Sequence, residues 1–213
     1  MTDRNLTHIY VLLDRSGSME SIKTDVEGGF DAFVGEQRAT PGECRITLAQ
    51  FDTEYQVVYA DHPVADIGSL ALRPRGSTAL LDSMARLIIE SGRRLAELPE
   101  EQRPGTVIVA IMTDGLENSS REWTHAAVKR LVEHQTTAYA WQFLYLGADQ
   151  DAIEVGSQVG IPAAQSVTYG RGKSREAMLN VSNKLANSRR RAMQTGFGKL
   201  EEFTPQERAD LAE

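Results

Sequence analysis

"YVLLDRSGSMES", Tyr10 to Ser21, is an apolar run that stops at a carboxylate and then sets out hydroxyls at alternate positions. Its first half predicts a strand covered on both faces, of the kind found in the middle of a parallel sheet. In its second half Asp14, Ser16 and Ser18 alternate with Arg15 and Gly17. A tight loop there can turn both hydroxyls to the side where the carboxylate points, with Gly17 freeing the backbone to turn.

Two more nearly continuous apolar or aromatic runs, Thr106 to Met112 and Ala138 to Leu146, predict further central strands. In the latter, Trp141, Phe143 and Tyr145 alternate, as packing residues do. Amphipathic stretches lie between and around these runs. One extends from Ser21 to Gln37, and another from Ala79 to Leu95 puts Leu80, Met84, Leu87, Ile88 and Leu95 on one stripe. A third, Glu122 to Gln135, is preceded by Ser119, which with Glu122 forms a capping box. A fourth, Gln150 to Val159, is stopped by Gly160 and Pro162. "CRITLAQFDTEYQVVYA" has two β-rich runs joined only by Asp52, Thr53 and Glu54, a hairpin length that places one antiparallel pair at a sheet edge. A short strand at Ala164 to Thr168 precedes a last helix. The fold class is therefore α/β: a three-layer, doubly wound, mostly parallel sheet with one antiparallel edge strand, Rossmann-like. Residues 1–194 form one domain, and 195–213 a tail packed on it or extending from it.

The chain has 213 residues, 41% hydrophobic and 25% charged, enough for one substantial core. A net charge of −7 argues against broad adhesion to nucleic acid or anionic lipid. Lys184 and Arg189 to Arg191, the one basic cluster, are expected on a solvated helix face. No stretch reaches the ~20 apolar residues of a membrane span, and "MTDRNLTHIY" lacks the layout of a secretion signal, so the mature chain is expected to start near Met1. The single cysteine, Cys44, is expected as a buried small hydrophobe in a reducing cytoplasm.

In a parallel α/β sheet ligands bind outside the carboxyl ends of the strands. Asp14 follows "HIYVLL" there and Asp114 follows "VIVAIMT". Thr78, in "PRGSTALLD", opens the second helix behind a glycine loop. All these donors are hard oxygens, which select Mg²⁺, with Mn²⁺ or Ca²⁺ as alternatives, over zinc. Glu117 and Asn118, close to Asp114, could line the rim or hold the loop by hydrogen bonds. The four histidines are scattered, and none is placed to activate Ser16 or Ser18 as a hydrolase nucleophile. "GRGKS", Gly170 to Ser174, looks like the end of a phosphate loop, but the full pattern needs glycine at 167, where Val167 stands. A plain helix start capped by Ser174 suffices.

Asp14-Arg15-Ser16-Gly17-Ser18-Met19, with Thr78 in "GSTALLD" and Asp114 in "MTDGLEN", resembles the metal-ion-dependent adhesion site of von Willebrand factor A-type domains. The likeness covers roughly Thr7 to Thr168, three elements in order, and is closest to the small intracellular bacterial or phage-type members. It implies that Ser16, Ser18 and Thr78 ligate the metal directly, and that Asp14 and Asp114 do so directly or through water. Ser77, adjacent to Thr78, is the other hydroxyl that could serve. The resemblance further implies a non-catalytic domain that docks a protein partner, whose Asp or Glu completes the coordination sphere. Arg15, Met19, Arg75, Ser77 and Leu116 to Asn118 are the expected specificity rim. The alternative is a Mg²⁺-dependent phosphotransferase or hydrolase of the haloacid dehalogenase type with Asp14 as nucleophile. That chemistry wants an acid two residues further on, where Ser16 stands.

Overall fold

The computed structural model describes residues 1–212. In chain order the elements are β1 (Asp3–Asp14), α1 (Lys23–Ala39), β2 (Glu43–Phe51), β3 (Tyr55–Pro63), α2 (Leu80–Glu97), β4 (Pro104–Thr113), α3 (His125–Tyr139), β5 (Gln142–Ala148), α4 (Ala152–Gln158), β6 (Ser166–Tyr169), α5 (Ser174–Thr195) and α6 (Pro205–Ala212), with short 3₁₀ turns between some of them. The strands form one sheet in the order β3-β2-β1-β4-β5-β6. Every pair is parallel except β2 with β3, the edge hairpin. The three-layer architecture, the parallel sheet and its antiparallel edge follow the sequence expectation.

Strand β1 is central because both of its faces are apolar. Ile9, Val11 and Leu13 point into one core with Phe30 and Phe33 of α1 and Met178, Val181 and Leu185 of α5. Tyr10 and Leu12 point into the other, with Leu80, Met84, Leu87 and Ile88 of α2 and Val128 and Val132 of α3. At about 25 cal/mol per Å² of apolar surface removed from water, burial of this kind is the main force holding the layers together. Cys44 is buried on β2, as expected. Among the described residues no helix is long and apolar enough to cross a membrane.

Several local expectations are corrected, each for a visible reason. Ala138 and Tyr139 end helix α3 rather than begin a strand. Ala140 then turns in the left-handed region at φ 54°, and the Trp141 N–H donates to Gln135 O at 3.1 Å. Helix α3 starts at His125, not Glu122, and its cap is Thr124 rather than Ser119. The intervening amides are engaged elsewhere. The Asp82 carboxylate accepts from the N–H groups of Arg121, Glu122 and Trp123, and Glu117 accepts from those of Ser119 and Ser120. Nor does the Ser174 hydroxyl cap α5. Asp25, across the layer on α1, takes the Ser174 N–H at 2.7 Å.

Only half of the basic cluster is a solvated face: Arg190 and Arg191 are exposed, but Lys184 and Arg189 are buried. Arg189 is 2% exposed and Lys184 3%. The Arg189 guanidinium donates to the carbonyls of Gln37, Thr40, Pro41 and Gly42, groups that the end of α1 leaves without helical partners. Lys184 donates to Glu207 of α6 and to Glu202 O. The segment beyond residue 194 thus packs on the domain, with Leu200, Phe203 and Leu211 in the same core as α1 and α5.

Candidate functional site

The carboxyl ends of β1 and β4 lie side by side, with Leu13 opposite Met112. This brings Asp14 and Asp114 together across 100 residues of chain. The third component, the loop carrying Thr78, is fastened to the first by its backbone. Arg75 N donates to Arg15 O at 2.8 Å, and Gly17 N to Gly76 O at 3.1 Å. The glycine this needs is Gly76, at φ +67°, where a Cβ would stand 3.2 Å from Thr53 Oγ1. Gly17 has no positive φ, so the conformational freedom expected of it is not used.

All five expected residues converge. Asp14 is fully buried. Its Oδ1 accepts from Ser16 N at 2.6 Å and its Oδ2 from Thr113 Oγ1 at 2.5 Å. Ser16 Oγ and Ser18 Oγ are 3.1 Å apart, and Ser18 Oγ donates to Asp114 Oδ1 at 2.7 Å. Thr78 Oγ1 closes the group from the α2 side, so near the backbone after Asp114 that a Cβ on Gly115 would come within 2.7 Å of it. Asp114 Oδ2 is buried with no hydrogen-bond partner. Ser77 is exposed while Thr78 is buried.

Burial pushes the Asp14 carboxyl up to about 6, against the Thr113 hydroxyl and the Ser16 N–H, while the Asp114 charge adds to the rise. Burial also raises Asp114, against the Ser18 hydroxyl. Two desolvated acids at neighbouring strand ends, joined through the Ser16 and Ser18 hydroxyls, form a place where a cation would be welcome. Among the described residues there is no group of three or more His, Cys, Asp or Glu side chains suited to a metal ion, so a cation here would have to rely on hydroxyl oxygens. The distances suit that. Adjacent oxygens around an octahedral ion with bonds of 2.0–2.1 Å stand about 3 Å apart, close to the Ser16–Ser18 and Ser18–Asp114 separations.

Around these groups is a supporting shell that the sequence only partly disclosed. Glu117 accepts from Leu81 N and Asn118 Oδ1 from Thr78 N, so both hold the loops by hydrogen bonds. Thr113 was missed because it reads as the last apolar-run residue. Its hydroxyl is what holds Asp14. Asp52 was missed as a mere turn residue, yet it is buried and accepts from Arg15 Nε and Arg75 Nε, both at 2.8 Å, and from Glu54 N at 2.7 Å. Burial raises its carboxyl, but the Glu54 N–H and the two guanidinium groups outweigh that and hold it below the usual carboxylate range. Arg15 and Met19 therefore leave the expected rim. Arg15 is buried against Asp52, and Met19 is in the core. Arg75, Ser77, Leu116 and Asn118 remain exposed.

Solved structures share this arrangement of layers. The vWF domain of the type V pili tip protein Mfa5 from Porphyromonas gingivalis superposes with a TM-score of 0.58 over 93% of this chain and 98% of that one, at 11% identity. The ArnB paralog VWA2 from Sulfolobus acidocaldarius does so with a TM-score of 0.55 over 84% of this chain and 44% of the other, at 16% identity. The chain has the von Willebrand factor A-type fold. Proximal thread matrix protein 1 from the mussel byssus is similar too, with a TM-score of 0.62, 18% identity, and coverage of 84% of this chain and 48% of that one. The chain thus spans about half the length of these last two. At 11 to 18% identity the likeness is one of fold. No family model and no curated protein sequence matches this chain.

Proposed function

We propose that this domain is a metal-dependent protein-binding module, in which Ser16, Ser18, Thr78, Asp14 and Asp114 hold one divalent cation, Mg²⁺ before Mn²⁺ or Ca²⁺. The observation that carries the reading is the convergence of five hard-oxygen side chains from three loops, with Asp114 Oδ2 buried and unpartnered. When bound, the ion supplies an electrophilic position for an Asp or Glu side chain of a protein partner. Thr113 and the Ser16 N–H orient Asp14, while Asn118 and Glu117 hold the Thr78 loop.

A binding role is favoured over catalysis by the state of Asp14. The residue is fully buried, with the Ser16 N–H and the Thr113 hydroxyl seated on its two oxygens, so a phosphoryl group has no open line of approach to it, whereas a small cation or its water needs only one remaining lone pair. The residue two positions on, Ser16, cannot act as a general acid near neutral pH. A cytoplasmic setting belongs to the same proposal and rests on the single buried thiol of Cys44.

Titration calorimetry with MgCl₂ and MnCl₂ tests the reading. One ion per chain and a rise in melting temperature by mass action are expected, both lost in Asp14→Ala with Ser16→Ala. Thr78→Ala should weaken binding with the fold retained, and exposed Ser77→Ala should not. Equal metal binding by wild type and the double variant would overturn the proposal.

A further inference from the structure

The Gly170 to Ser174 segment has a place in the fold that its phosphate-loop lettering did not suggest. It leaves β6 at the same carboxyl edge as Asp114. Thr113 stands opposite Gly147, and Ala148 opposite Tyr169. Asp149 is therefore the first residue beyond β5 and Arg171 the second beyond β6, along the row of strand ends that Asp114 begins. The loop is tied in place, since Asp149 N donates to Tyr169 O at 3.0 Å and Gln150 Nε2 to Thr113 O at 3.2 Å. Asp149 holds a positive φ of 48°. Arg171 Nε lies 2.6 Å from Asp149 Oδ2, with the two side chains 57% and 44% exposed.

Among the described residues Arg171 has no second ion-pair partner. Its planar fork has five N–H donors, so Nε can stay on Asp149 while the terminal amines engage another carboxylate side-on. Lys173, two residues on, is less available because its Nζ reaches Asp210 O.

We infer that Arg171 is a specificity-determining residue of this site: it recognises a second carboxylate on the partner, a few residues from the one that completes the metal's coordination, and so selects segments with paired acids. This rests on the metal-binding reading above. Asp149 is a positioning residue that aims the guanidinium and competes for it. An exposed ion pair of this kind changes affinity by about fivefold and fades with added salt.

A random peptide library displayed on phage, panned on the full chain in MgCl₂ and eluted with EDTA, tests this. Wild type should return peptides with paired Asp or Glu, Arg171→Gln peptides with a single acid, and Arg171→Glu peptides with an acid beside Lys or Arg. A synthetic paired-acid peptide should bind Arg171→Gln about fivefold more weakly than wild type. The same peptide with its second acid changed to the amide should not distinguish the two proteins. Arg171→Lys keeps the charge without the fork and should lie between, and circular dichroism checks that each variant is folded. Single acids from wild type, acid–base pairs from wild type, or paired acids undiminished with Arg171→Gln would each overturn the inference while leaving metal binding intact. A pool no richer with MgCl₂ than with EDTA would remove the metal-binding reading, and this inference with it.

Discussion

His8 gives the most quantitative test of the packing. It is 2% exposed in β1, its ring stacked on Tyr10 with centroids 4.1 Å apart and its Nε2 2.9 Å from Thr47 Oγ1. Burial lowers its pKa to about 3 from the ordinary 6.5, and Arg45 and Arg94 add to the effect. Asp61 Oδ1, 3.6 Å from Nδ1, pulls the other way but is half exposed and is also paired with Arg45, so burial prevails. Below pH 6.5 the unfolded chain therefore takes up a proton that the native chain refuses. The stability is full above 6.5 and is lost as pH falls toward 3, at about 1.4 kcal/mol per pH unit. Asp14, raised to about 6, slopes the opposite way between pH 3.8 and 6, so the raw curve of the wild type hides the effect. The difference between wild type and His8→Gln cancels Asp14 and any pH-independent loss of stacking. Urea melts in EDTA from pH 7.5 to 5 should show wild type losing about 2 kcal/mol relative to the variant between pH 6.5 and 5. A difference that stays flat would mean that native His8 is protonated against Asp61, and the desolvation argument would fail.

Three further outcomes are expected. Asp14→Asn, which mimics the protonated acid, should make the metal-free protein more stable at pH 7.5 by up to about 3 kcal/mol while abolishing metal binding, as thermal melts and calorimetry on the same samples would reveal. Arg189→Met should destabilise by about 2–4 kcal/mol, because the buried carbonyls of Gln37 and Thr40 lose their donor; a denaturant midpoint unchanged from wild type would show that relief of the buried charge offsets them. Ala140→Gly relaxes a left-handed residue at φ 54° and should stabilise by about 0.5–1 kcal/mol, raising the melting temperature by a few degrees.

The sheet was legible because β1, β4 and β5 carry apolar residues on both faces, a pattern that few other structures explain. The positions of Asp14 and Asp114 at strand ends followed from that alone. What the sequence concealed were contacts made by side chains from distant parts of the chain. Asp82 takes three amides of the 121–123 segment, which delays α3, and Asp25 displaces Ser174 as the cap of α5. Local capping rules see only near neighbours. Arg189 was misplaced for a related reason: a charged residue is normally solvated, and the carbonyl nest that accepts it exists only once α5 lies on α1. Arg171 and Asp149 are far apart in sequence and meet only because β5 and β6 end together.

The outer edge of β6 has consequences for how the chain is made. Arg208 donates to Ser166 O and Ala163 O, and Gly170 N donates to Leu211 O, so the strand's exposed side is closed by α6. Helix α6 leaves the ribosome after the strand it covers. Until it does, the nascent polypeptide presents an open strand border and a core lacking Leu200, Phe203 and Leu211, the kind of surface that chaperones shield and that neighbouring chains adhere to. A proteolytic cut ahead of α6 would leave that border open, an edge to which strands of other chains can add.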